Sequence, residues 1–67
     1  MIVNNIKEAR IRKGISQIEL ADHLDTDQAT ISKIENGKRD TSGQRLLRIA
    51  DYLDVSVDYL LNRKGSR

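Results

Sequence analysis

Apolar residues along this chain fall at helical spacings, three and four apart, and they come in short groups separated by polar breaks. No stretch alternates apolar and polar positions for long enough to predict a strand, and proline is absent. The pattern predicts five short helices. The first runs from about Asn5 to Lys13, carries Ile6 and Ala9 with Ile2 or Val3 on its apolar side, and stops at Gly14. Ser16 opens the second. Ser16 and Glu19 have the spacing of a capping box, with Ile15 and Leu20 as the flanking apolar staple. Leu20, Ala21 and Leu24 then form one buried stripe.

Asp25-Thr26-Asp27 interrupts that stripe, and Asp27 is placed to cap a third helix from Gln28 to about Asn36, with Ile31 and Ile34 inward and Asn36-Gly37 ending it. A polar loop, Lys38 to Thr41, leads to a fourth helix capped by Thr41 or Ser42. Leu46, Ile49, Ala50 and Leu53 make its apolar stripe. Ser56 caps a short fifth helix, with Val55 and Leu60 as its staple and Asp58 in its first turn. Leu61 closes the core. The expected fold class is therefore all-α, with one domain over residues 1–62 and a loose basic tail over 63–67.

Helices two and three carry the most information. A three-residue joint forces them to cross steeply, and a close crossing needs one small contact residue, which Ala21 supplies. Sealing the joint with Leu20, Leu24, Ile31 and Ile34 turns Gln28, Ala29, Ser32 and Lys33 outward. Those are short polar or small groups of the kind that reach base edges. Charge adds modest support. Twelve Lys and Arg face ten Asp and Glu, a net charge of +2, so a polyanion would have to be met by a local cluster.

Other chemistry finds little footing. The chain has no cysteine, which excludes disulfides and thiolate metal sites. His23 stands alone on the outer side of helix two, where exposure is the expected state and metal ligation is not. No glycine-rich phosphate loop is present, and 67 residues are too few to build a deep pocket, so an enzyme is not expected and no cofactor is called for. No apolar run is long enough for a membrane span, and the start MIVNNIKEAR lacks the pattern of a secretory signal. The expectation is a cytoplasmic protein.

Three segments together resemble the Xre/Cro-like phage repressor family: Ser16-Gln17-x-x-Leu20-Ala21, the run Thr30-Ile31-Ser32-Lys33-Ile34-Glu35-Asn36-Gly37-Lys38-Arg39, and Val55-Ser56-Val57-Asp58-Tyr59-Leu60-Leu61. The resemblance spans about Ile6 to Asn62. It implies a compact five-helix lambda-repressor-like domain whose third helix enters the major groove, the docking geometry for which such repressors are the standard example. It further implies sequence-specific DNA binding as a transcriptional regulator of prophage type, acting as a repressor. The alternative is an antitoxin or partner-regulated interaction module on the same fold.

By the same resemblance Gln28, Ala29, Ser32 and Lys33 read bases. Gln17, Thr30, Asn36, Lys38 and Arg39 hold the DNA backbone, and Arg10 pairs with Glu35. The implied partners are a palindromic double-stranded operator and a second copy of the chain, met through the helix-five region, where Val57, Tyr59 and Leu61 could line the surface. The chain departs from the family at Asp25, where glycine is usual, at Thr26, where Val or Ile is usual, and near Asp40, where proline is frequent. Asp22 and Asp27 place negative charge beside the expected phosphate track.

Overall fold

The computed structural model describes residues 5–61, so Ile2, Val3 and the basic tail at 63–67 lie outside the described residues. Five helices lie among the described residues: α1 (Ile6–Lys13), α2 (Gln17–His23), α3 (Gln28–Glu35), α4 (Gly43–Leu53) and α5 (Val57–Leu60). Each of the last four begins at a side-chain cap. Ser16, Asp27, Ser42 and Ser56 accept from the N–H groups of Glu19, Thr30, Arg45 and Tyr59 respectively, and Ser16 and Glu19 complete a reciprocal capping box. Of the two candidates for the α4 cap, Ser42 holds the position.

The first helix starts differently. Asn5 makes no side-chain cap, and is instead tied to the far end of the chain. Its N–H donates to the Leu60 carbonyl at 2.9 Å and its Nδ2 to the Tyr59 carbonyl at 2.8 Å. That bond pair brings the start of α1 against α5, so the two ends of the described chain close the core together.

The helix ends share one device. After α1, α2, α3 and α4 a residue turns left-handed: Gly14 at φ 74°, Asp25 at 57°, Gly37 at 72° and Asp54 at 59°. In each case the following N–H reaches back to a carbonyl five residues earlier: Ile15 to Arg10, Thr26 to Ala21, Lys38 to Lys33, Val55 to Ala50. These are Schellman closures, which satisfy carbonyls that a helix end otherwise leaves open. Three of the four continue straight into the next cap, as Gly14-Ile15-Ser16, Asp25-Thr26-Asp27 and Asp54-Val55-Ser56. Only α3 runs out into a longer loop.

The core comprises Ile6 and Ala9 from α1, Leu20, Ala21 and Leu24 from α2 and its end, Ile31 and Ile34 from α3, Leu46, Ile49, Ala50 and Leu53 from α4, and Leu60 from α5. Tyr52, Val55, Val57, Tyr59 and Leu61 pack half-buried against it. At roughly 1.5–3 kcal/mol for each large aliphatic side chain buried, this set supplies the main driving force of folding. No helix among the described residues is long and apolar enough to cross a membrane.

Candidate nucleic-acid interface

The joint between α2 and α3 fixes the site. Ala21 is 3% exposed and lets the helices approach, while Leu20, Leu24, Ile31 and Ile34 are all buried around it. The turn needs a left-handed residue, and Asp25 adopts that conformation, at a cost glycine would not incur. Thr26, half-buried, contributes its N–H to the Ala21 carbonyl at 2.9 Å. With Ile31 and Ile34 turned inward, Gln28, Ala29 and Lys33 are exposed on the opposite side of α3. Ser32 departs from its expected outward position. It is half-buried, because it lies at the border of the buried stripe, and Asn36 Nδ2 rests against its Oγ at 3.5 Å.

Beneath this face runs a chain of polar contacts across three helices. Arg10, only 8% exposed, donates from Nε to Glu35 Oε2 at 2.6 Å and from Nη2 to Glu35 Oε1 at 3.2 Å. A third Arg10 bond, from Nη1 to the Ile15 carbonyl at 2.9 Å, braces the α1–α2 turn. Gln17 Nε2 then donates to Glu35 Oε1 at 3.1 Å, and Gln28 Nε2 donates to Gln17 Oε1 at 3.2 Å. The first side chain of α3 is thereby held by the first side chain of α2, and both rest on a buried ion pair.

The arrangement leaves specific valences open. A carboxamide has two N–H donors and an acceptor oxygen. Gln17 takes one donor of Gln28, so the second donor and Oε1 remain for a pair of groups outside the protein. Adenine presents a matching acceptor and donor, N7 and N6, in the major groove. The side chain of Gln17, by contrast, is engaged on both of its ends.

Charge around the face is mixed. Lys33, Lys38 and Arg39 are exposed at and beyond α3, and Asp22, Asp25 and Asp27 are exposed at its other end. Asp27 has local employment, since its Oδ1 accepts from the Thr30 N–H at 2.8 Å. Hydrogen bonding from the Thr30 side chain and backbone, with a smaller contribution from Lys33, holds the Asp27 carboxyl below its ordinary range. Thr30 itself is half-buried.

Two contacts lay beyond sequence reasoning. The exposed His23 ring stacks on Tyr52, with centroids 3.9 Å apart and planes 10° from parallel, and Arg48 Nη2 donates to the His23 carbonyl at 2.8 Å. Together they tie the end of α2 to α4, and nothing local in either segment signals the pairing. Among the described residues no group of His, Asp and Glu could hold a metal ion.

Comparison with known proteins places this geometry. A helix-turn-helix family profile matches residues 6–60. The transcriptional regulator SinR of Bacillus licheniformis is 42% identical over 65 residues, covering 96% of this chain and 59% of that protein. A solved complex of SinR with SinI superposes with a TM-score of 0.81 at 37% identity, covering 98% of this chain and 65% of that one. The restriction-modification controller protein C.AhdI from Aeromonas hydrophila superposes with a TM-score of 0.73 at 31% identity, covering 82% and 80%. This chain spans about half the length of the curated relatives it matches. The buried α2–α3 joint, the outward face of α3 and the profile across nearly all described residues agree, and the chain belongs to the Xre-like helix-turn-helix family.

Proposed function

We propose that the chain binds duplex DNA sequence-specifically as a transcriptional regulator, and that it acts as a repressor by occupying its operator. The observation that carries this reading is the outward face of α3, with Gln28, Ala29 and Lys33 exposed opposite a fully buried Ile31 and Ile34. In the groove Gln28 pairs with adenine through its free donor and acceptor, Ala29 meets a thymine methyl, Lys33 donates to guanine, and Ser32 contributes its hydroxyl at the edge. Backbone phosphates are met by the N–H of Gln17, by Thr30 and Asn36, and by the cations Lys38 and Arg39 beyond α3. The role is one of binding rather than catalysis, and it is exercised in the cytoplasm.

One such face makes few contacts, so two copies joined through the α5 region would read a palindrome with half-sites about 34 Å apart. Random-site selection followed by salt titration tests the proposal. A recovered palindrome is expected, with affinity falling steeply as salt rises. Gln28→Ala should weaken binding and relax preference at one base pair by about 1–3 kcal/mol, while Lys38→Ala should weaken all sites alike and reduce the salt slope by about 0.9. Unchanged specific affinity in both Gln28→Ala and Lys33→Ala would remove α3 as the reading element. The second reading, a partner-regulated or antitoxin module, draws on the SinR–SinI complex, and a co-purifying partner that alters DNA affinity would mark it.

A further inference from the structure

By backbone proximity the helices sort into two groups. α2 packs closely with α3, which carries the outward face, while α4 packs with both α1 and α5. The buried side chains of the two groups share one apolar core. That core holds the groups together but gives them little direction, because apolar burial is non-directional. The angle at which α3 is presented is set more sharply by contacts that do have direction.

Such contacts hold α2 at each of its ends. Its first residue, Gln17, donates to Glu35, and Glu35 is held in turn by Arg10 of α1. Its last residue, His23, meets α4 twice. The His23 ring lies on Tyr52 with centroids 3.9 Å apart and planes 10° from parallel, and the His23 carbonyl accepts from Arg48 Nη2 at 2.8 Å. His23 and Arg48 are exposed and Tyr52 is half-buried, so the cluster sits at the rim of the core and not within it. Stacked aromatic rings have preferred relative orientations, which aliphatic contacts lack.

We propose that His23 and Tyr52, braced by Arg48, are positioning residues for base reading: without touching DNA they set the angle between α3 and the body formed by α4 and α5. The role rests on the DNA-binding reading. α2 has seven residues and is therefore about 10 Å long. With its far end released, a rotation of about 10° around the Gln17 end moves the His23 end by nearly 2 Å. α3 turns with it, because the two helices are locked through Ala21 and the buried residues around it. Hydrogen bonds hold within a distance window of about 0.5 Å. A tilt of that size loses the base contacts and leaves the general attraction to phosphates in place.

Titrations of the full chain on its selected operator and on a scrambled duplex test the role. His23→Ala and Tyr52→Leu break the stack, whereas His23→Phe and Tyr52→Phe keep it. The first two should lose about fivefold or more in affinity for the operator and less than about twofold for the scrambled duplex. The two conservative variants should stay within about twofold of the wild type on both. The rings act as one unit, so His23→Ala combined with Tyr52→Leu should lose no more operator affinity than the worse single variant. A stack that served stability alone would lower the melting temperature and leave the ratio of the two affinities unchanged.

Residual dipolar couplings of the backbone amides read the angle without DNA. In His23→Ala the couplings of α2 and α3 should no longer fit the wild-type orientation relative to α4 and α5, and His23→Phe should restore the fit. Unchanged couplings in His23→Ala, equal losses on operator and scrambled duplex, or no recovery in His23→Phe would each overturn the role. Failure of the wild type to bind any duplex would strike the proposed function and the role with it. That result is distinct from unchanged couplings, which strike the role alone.

Discussion

Replacing Arg10 by methionine removes one half of a buried pair and leaves the other half behind. The Glu35 side chain is 1% exposed, and without Arg10 its carboxylate keeps, among the described residues, only the bond from Gln17 Nε2. Breaking a buried pair in this way costs about 3–5 kcal/mol, most of it from the charge left uncompensated. The Ile15 carbonyl loses its donor as well. Folded domains hold about 0.05–0.15 kcal/mol per residue, which for a chain of 67 residues is roughly 3–10 kcal/mol in total. The single change therefore consumes much of the available stability.

At about 4–8 °C per kcal/mol for a domain of this size, Arg10→Met should melt at least about 12 °C below the wild type. Lys7→Met, an equally drastic change on the exposed side of α1, should stay within about 4 °C. Circular dichroism melts and urea titrations read both. A second variant isolates the cause. Arg10→Met with Glu35→Gln carries no buried charge and should recover part of the loss, by about 1–3 kcal/mol. Equal melting points for Arg10→Met and Lys7→Met, or a double variant no more stable than the single, would refute the reasoning.

Three further outcomes are expected. Asp25→Gly and Asp54→Gly relieve left-handed strain at exposed positions, and each should raise stability by about 0.5–1 kcal/mol in urea unfolding. Ser16→Ala removes half of the capping box and should lower it by about 1 kcal/mol, with a smaller loss for Glu19→Ala. Asp27 has a lowered folded-state pKa, so its contribution is present above the ordinary carboxylate range and disappears as pH falls through the lowered value. Urea midpoints followed from neutral to acid pH should therefore decline less in Asp27→Asn than in the wild type.

Most of the architecture was legible because its signals are local. A Ser or Asp side chain reaching an N–H three residues on needs no distant partner, and Ser16, Asp27 and Ser56 mark helix starts in the sequence as they do in space. The stripe of Leu46, Ile49, Ala50 and Leu53 is equally self-contained. What escaped was either tertiary or disguised. Asp54 as a left-handed terminator could have been found, because Asp54-Val55-Ser56 repeats the order of Gly14-Ile15-Ser16, but an aspartate hides the pattern that a glycine announces. The His23–Tyr52 stack and the Asn5 bonds to Tyr59 and Leu60 join residues 29 and 54 or more positions apart, where periodicity says nothing. At the candidate site, the exposure of Gln28, Ala29 and Lys33 follows from the burial of Ile31 and Ile34. The engagement of Gln17 at both ends of its amide does not, because it depends on where Glu35 arrives in three dimensions.

The three directly capped turns also bear on how quickly the molecule assembles. At Gly14, Asp25 and Asp54 each closing bond spans only a handful of residues, and the next helix is nucleated immediately afterwards. The joints themselves then require no long loop to close before they yield any return, and helical chains rich in such local contacts collapse to the native topology in microseconds to milliseconds. A nascent copy of this protein would accordingly spend very little time with Leu20, Ile31 or Ile49 open to aggregation.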